Sequence, residues 1–273
     1  MMRVGFIGLG SQGGPMARRI VEAGFETTLW ARRPASLEPY ADTAANYAES
    51  PAKLAAASDL VCLCVVGDDD VRKVITGENG LLEGLREGAI IAIHSTIHPE
   101  TCRELAEIAA PRGVSIVDAP VSGGGMGAAA GTLLVMVGGD SDIVEKCRPV
   151  FSTYGNPVVH LGELGAGQVT KLLNNLLFTA NLSAAASTLE LGAALGIDSA
   201  RLGEVVANGT ANSFALGRVV SAGGTLDRIA QHAGELLRKD VGHIAEIAET
   251  AGMTPGAALT AADATLEMME YPR

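Results

Sequence analysis

Through roughly the first 160 positions, short apolar runs alternate with stretches in which apolar residues recur at helical spacing. The runs predict strands at Arg3–Ile7, Thr27–Trp30, Leu60–Val66, Ala89–His94, Val114–Val117, Leu133–Val137 and Pro157–His160. Strands alternating with helices are the mark of βαβ units on a parallel sheet. From Gly165 the alternation stops. Gly165 to Leu195 holds no proline, is rich in Leu, Ala and Asn, and keeps helical periodicity, which predicts one helix. At 1.5 Å per residue such a helix is roughly 45 Å long, more than a small domain needs, so it is predicted to bridge domains or subunits. Asp198 to Tyr271 predicts further helices, broken at Gly209, Gly223–Gly224 and Gly252 to Gly256. The expected organisation is a doubly wound α/β domain over residues 1–162, then an all-helical domain over residues 163–273, joined by the long helix.

Composition narrows the function. The net charge of −11 argues against nucleic acid and against an anionic membrane surface as partners, while leaving room for a local basic site for one small anion. No apolar run approaches the ~20 residues of a membrane span, and the N-terminus lacks the apolar stretch of a secretory signal, so a cytoplasmic protein is expected. Cys62, Cys64, Cys102 and Cys147 show no CxxC spacing and read as reduced core thiols. Glycine, at 34 of 273 residues against a usual ~7%, implies many close backbone approaches.

The most informative glycines lie in Val4 to Ile20, where Gly8-x-Gly10-x-x-Gly13 falls between a predicted strand and a predicted helix. A dinucleotide site needs a tight turn at the first glycine, backbone approach to the pyrophosphate at the second and helix–strand packing at the third, with helix N-terminal amides facing the phosphates. Gly8, Leu9, Gly10, Ser11, Gln12 and Gly13 are therefore the predicted cofactor loop. After the second strand, Leu29-Trp30-Ala31-Arg32-Arg33-Pro34 offers two arginines and no carboxylate. A carboxylate there would bind the ribose 2′-hydroxyl of NAD, whereas guanidinium matches the 2′-phosphate of NADP. Arg32 and Arg33 thus favour NADP(H) over NAD(H).

Two further motifs follow. Asp118-Ala-Pro-Val-Ser-Gly-Gly-Gly lies beyond a predicted strand, on the edge where open α/β sheets bind ligands. The amides of Ser122, Gly123 and Gly124 are free of bulky side chains and suit a carboxylate, although on the residues alone a flexible connection is the more ordinary reading. In Gly165-Ala-Gly-Gln-Val-Thr-Lys-Leu-Leu-Asn-Asn175, Lys171 and Asn175 share a helix face, and Lys171 interrupts a largely uncharged stretch. A proton-donating ammonium fits such surroundings, while spacing alone favours the ordinary alternative of a snorkelling lysine.

Together, the glycine fingerprint with Pro-Met, Ser95-Thr96, D-A-P-V-S-G-G and G-x-x-x-K-x-x-N-N resemble the β-hydroxyacid dehydrogenases from Arg3 to about Thr260. That family includes 3-hydroxyisobutyrate dehydrogenase, tartronate semialdehyde and glyoxylate reductases and, more distantly, 6-phosphogluconate dehydrogenase. The resemblance implies a Rossmann-type domain, an all-helical domain and dimers formed through the helical part. It also implies hydride transfer between nicotinamide and a small hydroxyacid or aldehyde, with Lys171 as general acid/base and Asn175 holding Lys171 or the substrate. Thr96, Ser122, Gly123, Gly124, His232 and Lys239 are implied at the substrate, with Asp240 beside Lys239. Val65, Thr96 and Lys239 are implied at the cofactor.

The chain departs from this pattern at three places. His94 stands where many relatives carry an acidic residue, His232 where phenylalanine is common, and Arg273 ends the sequence short of the family's usual final helix. A more polar and more open pocket is expected, although a single histidine at a strand end, such as His94, is more often a hydrogen-bonded structural group than a catalyst. His94 and His98 alone make a poor ligand set, so no metal site is expected. An imine reductase on the same scaffold and a silent dinucleotide-binding protein remain as alternatives, and the intact Lys171/Asn175 pair counts against both.

Overall fold

The computed structural model describes residues 2–253 and 256–273. Six strands form one parallel sheet in the order β3-β2-β1-β4-β5-β6, where β1 is Val4–Ile7, β2 Thr27–Trp30, β3 Asn46–Tyr47, β4 Leu60–Leu63, β5 Ile90–Ile93 and β6 Ser115–Asp118. Successive side chains of a strand point to opposite faces, and in a sheet covered on both sides both sets are apolar. Accordingly Val4, Phe6, Leu60, Cys62, Ile90 and Ala92 pack into one core, and Ile7, Val61, Leu63, Ile91 and Ile93 into another. The first core is completed by helix α1 (Gly13–Glu22), which buries Met16, Ala17, Ile20 and Val21. The second takes Leu54 of α2 (Pro51–Ala56), Val71 and Ile75 of α3 (Asp68–Thr76), Leu81 of α4 (Leu81–Gly84) and Leu105 of α5 (Pro99–Ala109).

Not every predicted strand joins this sheet. β7 (Val121–Ser122), β8 (Leu133–Val137) and β9 (Gly155–His160) form a second, three-stranded sheet in which β7 runs antiparallel to β8. Helices α6 (Gly124–Ala130) and α7 (Ser141–Phe151) connect its strands. β7 runs on in the direction of β6, both antiparallel to β8, and an antiparallel bridge between Asp118 and Gly138 is the only strand-like link to the larger sheet among the described residues. The predicted strand at Leu60–Val66 also stops early. It keeps its parallel partner only as far as Leu63 opposite Ile93, and Val66 is exposed.

The predicted long helix is α8, Ala166–Ala194, with 29 residues. The compact units divide within it, at Lys171 and Leu172. The second unit is all helix: the remainder of α8, α9 (Ser199–Asn208), α10 (Phe214–Ser221), α11 (Asp227–Thr250) and α12 (Ala257–Met268). Its core gathers Leu182, Ala186, Leu189, Leu216, Val219, Leu237, Val241 and Leu266. No helix among the described residues is long and apolar enough to cross a membrane.

Candidate active site

The fingerprint loop sits between β1 and α1, and its glycines differ in what surrounds them. Gly8 has φ +101°, and a Cβ there would lie 2.0 Å from the Cys64 carbonyl oxygen; a Cβ at Gly13 would lie 2.0 Å from the Gly8 carbonyl oxygen. Both are glycine because the protein's own backbone fills the space. Gly10 is the reverse case, since a Cβ there would meet no atom within 4 Å. Packing does not require a glycine at this exposed position, and its bare backbone fits the close approach of a pyrophosphate. Gln12 gives α1 no side-chain cap and the first turn holds no acid, so the positive end of the helix dipole faces outward without internal compensation. These residues fit a dinucleotide. At the end of β2, Arg32 and Arg33 are exposed, and Arg32 Nη1 lies 3.8 Å from Asp70 Oδ1 on α3.

The loop meets the second glycine motif directly. A Cβ on Gly125 would come within 2.5 Å of the Ser11 carbonyl oxygen, so α6 begins against the fingerprint turn. Ser122 closes β7, while Gly123 and Gly124 adopt φ +131° and +64° and lie exposed. Asp118, at the head of this motif, is fully buried. Its Oδ1 accepts from the Gly165 amide at 2.7 Å and its Oδ2 from the Gln168 amide at 2.6 Å, which caps the first turn of α8. Burial pushes this carboxyl above the usual carboxylate range, and the amide donors oppose the shift.

Ser95 and Thr96 follow β5. The Ser95 hydroxyl accepts from the Val65 amide at 2.8 Å, tying this turn to the segment after β4. Gln168 holds it from the other side, its Nε2 donating to the Ser95 carbonyl at 2.8 Å and its Oε1 accepting from the Ile97 amide at 3.1 Å. Thr96 stays half-buried between the two clasped positions. Lys171, three residues beyond Gln168 on α8, is buried at 9% exposure. Neither Asp118 nor Gln168 was singled out from sequence as a positioning group. Their roles come from burial, which spacing does not reveal.

In the helical unit, Asn175 Nδ2 donates to Asp240 Oδ2 at 2.6 Å, and Lys239 Nζ lies 2.9 Å from Asp240 Oδ1. Asp240 is buried on α11, so its carboxylate fixes both neighbours. His232, two turns earlier on α11, is exposed and donates Nδ1–H to the Arg228 carbonyl at 2.7 Å.

His94 does not add polarity to a pocket, contrary to expectation. It is buried at the end of β5, with Nδ1 2.6 Å from the Ala119 carbonyl oxygen and Nε2 3.2 Å from the Tyr154 hydroxyl. Its ring stacks on Phe6 and meets Phe151 and Tyr154 edge-on. Burial lowers its pKa from 6.5 to about 4, so the ring is neutral near pH 7. The buried thiols of Cys62, Cys102 and Cys147 are likewise pushed up by desolvation, that of Cys147 to about 12.

Comparison with known proteins agrees with this construction. A family model described as the NAD binding domain of 6-phosphogluconate dehydrogenase matches residues 3–162, and one described as NAD-binding of NADP-dependent 3-hydroxyisobutyrate dehydrogenase matches residues 165–270. The chain is 42% identical over 204 residues to an uncharacterized oxidoreductase of Mycobacterium tuberculosis, covering 75% of this chain and 69% of that protein. It is 33% identical over 263 residues to the NAD-dependent L-serine dehydrogenase of Pseudomonas aeruginosa, covering 93% and 88%. The solved structure of M. tuberculosis 3-hydroxyisobutyrate dehydrogenase with L-serine matches with a TM-score of 0.85 at 28% identity, over 99% of this chain and 94% of that one. A fingerprint built for a dinucleotide, a Rossmann-type sheet followed by a helical unit and matches along nearly the whole length lead to one assignment: the chain is an oxidoreductase belonging to the β-hydroxyacid dehydrogenase family.

Proposed function

We propose that this chain transfers hydride between NADP(H) and a small β-hydroxyacid or its semialdehyde, with Lys171 as general acid/base. The observation that carries the reading is Lys171 itself, a buried ammonium one helical turn before Asn175, whose side chain is held by Asp240. When bound, the nicotinamide supplies the carbon that gives or takes the hydride. Lys171 then gives a proton to the carbonyl oxygen in reduction or takes one from the hydroxyl in oxidation. Thr96 and the Ser122–Gly124 amides bind the substrate carboxylate, while Asn175 and Lys239, fixed through Asp240, orient the reacting end. Exposed Arg32 and Arg33 favour the 2′-phosphate, and the named relative that is NAD-dependent sets the opposite outcome of the test. An exposed surface pair such as Arg32–Asp70 is worth under about 1 kcal/mol and is readily displaced by a phosphate.

The test is a panel of glyoxylate, succinic semialdehyde and methylmalonate semialdehyde, with 3-hydroxyisobutyrate and L-serine in the reverse direction, followed by NADPH absorbance. Lys171→Ala is expected to lower kcat by ~10²–10⁴ with little change in NADPH affinity. Lys171→Arg is not expected to restore it, because a guanidinium stays protonated. Turnover within a few-fold of the parent would remove Lys171 from the mechanism.

We also propose that the chain is at least a homodimer. The support is apolar exposure on α8, where Leu173, Leu177 and Leu191 are 50%, 57% and 60% exposed. Light scattering at micromolar concentration is expected to give twice the chain mass or more, and a monomer mass would reject the proposal.

A further inference from the structure

Gln168 carries a side chain that neither the fold nor the fingerprint requires. It is wholly buried, in the first turn of α8. A buried primary amide is tolerated only when its donor and acceptor are used. Here they are used on one short stretch of backbone, the Ser95 carbonyl and the Ile97 amide on either side of Thr96. The residue's own amide is bound to Asp118 Oδ2, at the carboxylate that also holds Gly165. Ser95 in turn receives the Val65 amide. A continuous polar strut thus runs from the end of β4 through the Ser95–Ile97 turn to the start of α8. Lys171 leaves the same helix three residues later, about 4.5 Å further along its axis.

We propose that Gln168 is a positioning residue for the reaction: by clasping both flanks of Thr96 from the helix that carries Lys171, it sets the register between the substrate-binding turn and the proton-transfer group. This rests on the function proposed above. Proton transfer depends steeply on geometry, and a misplacement of about 1 Å costs on the order of a hundredfold in rate. A residue that merely filled space would leave turnover by the folded enzyme unchanged.

The experiment uses the full chain and three variants, with the best substrate of the panel. Gln168→Met keeps volume and removes both hydrogen bonds. It is expected to lower kcat by ~10–100-fold, leave the NADPH dissociation constant within about twofold, and speed hydrogen exchange at the Ile97 amide. Gln168→Glu retains an acceptor for Ile97 but can donate to the Ser95 carbonyl only when protonated. Its kcat relative to the parent is therefore expected to rise as pH falls, a recovery that Gln168→Met does not show. Lys171→Ala separates the two claims. If Lys171→Ala is inactive while both Gln168 variants keep parental kcat and pH profile, the positioning role is overturned and the function stands. If Lys171→Ala is fully active, or no panel member turns over, the function proposed above fails and this inference falls with it.

Discussion

Acidification should destabilise the sheet unit through one residue. His94 is neutral and buried in the folded chain, with a pKa lowered to about 4; unfolded, it returns to about 6.5. The unfolded state therefore takes up this proton first as pH falls. The folded state is favoured in full above about pH 6.5, loses ground between 6.5 and 4, and loses no more below both values. The gap between the two pKa values is worth about 3 kcal/mol, of which about 2 kcal/mol is gone at pH 5. Trp30, the single tryptophan, lies on β2 beside β1, so its fluorescence follows unfolding of the sheet unit alone. The assay is urea unfolding read at Trp30, at pH 7.5 and pH 5. His94→Asn places an amide nitrogen where Nδ1 donates to Ala119 and removes the titration, at the loss of the Nε2 contact with the Tyr154 hydroxyl. The variant is expected to be weaker at pH 7.5, because the ring's contacts with Phe6 and Phe151 are lost, yet to lose about 2 kcal/mol less than the parent between the two pH values. Equal losses would refute the argument, and the acid sensitivity would then belong to the carboxylates.

Two remaining predictions concern cofactor binding, measured by titrating NADPH and NADH separately. Arg32→Ala should weaken NADPH about ten- to a hundredfold, the ~1.5–3 kcal/mol of a charge-assisted phosphate contact, and leave NADH nearly unchanged; equal losses would reject NADP preference. Gly10→Ala should weaken both without lowering the melting temperature, since its Cβ enters space the protein does not fill.

The larger sheet was legible because strands buried on both faces read as near-continuous apolar runs, and their limits held to within a few residues. The second sheet was not. Leu133–Val137 is an apolar run like the central strands, and Pro157–His160, which the structure extends back to Gly155, adds only Val158 and Val159; periodicity does not say which neighbour a strand takes or in which direction. Asn46–Tyr47, two exposed residues, left no run to find. His94 was legible as a hydrogen-bonded structural group, the ordinary role of a lone histidine at a strand end. Positions 90, 92 and 94 share a strand face, and strict alternation places the imidazole with Phe6 in the core. The fingerprint and the arginine pair announced themselves through residue type at fixed spacing. Asp118 and Gln168 did not, because a buried carboxylate and a buried amide look like any others until the chain segments they join are known to be adjacent in space.

The place of β1 in the sheet has a consequence for synthesis. β1 emerges first, yet it lies at the centre, with β2 on one edge and β4 on the other. Its second edge is closed by residues 56 positions away, where Val4 pairs with Leu60 and the Arg3 amide meets the Asp59 carboxylate at 2.9 Å. At roughly 5–20 residues per second, about 2–7 s separate the emergence of Trp30 from that of Leu63. Until then a two-strand ribbon presents a row of unpaired amides and carbonyls on Val4–Ile7, the kind of edge that recruits foreign strands. A nascent chain stalled short of Leu60 would be most prone to aggregate, and β4 is the segment whose arrival ends that exposure.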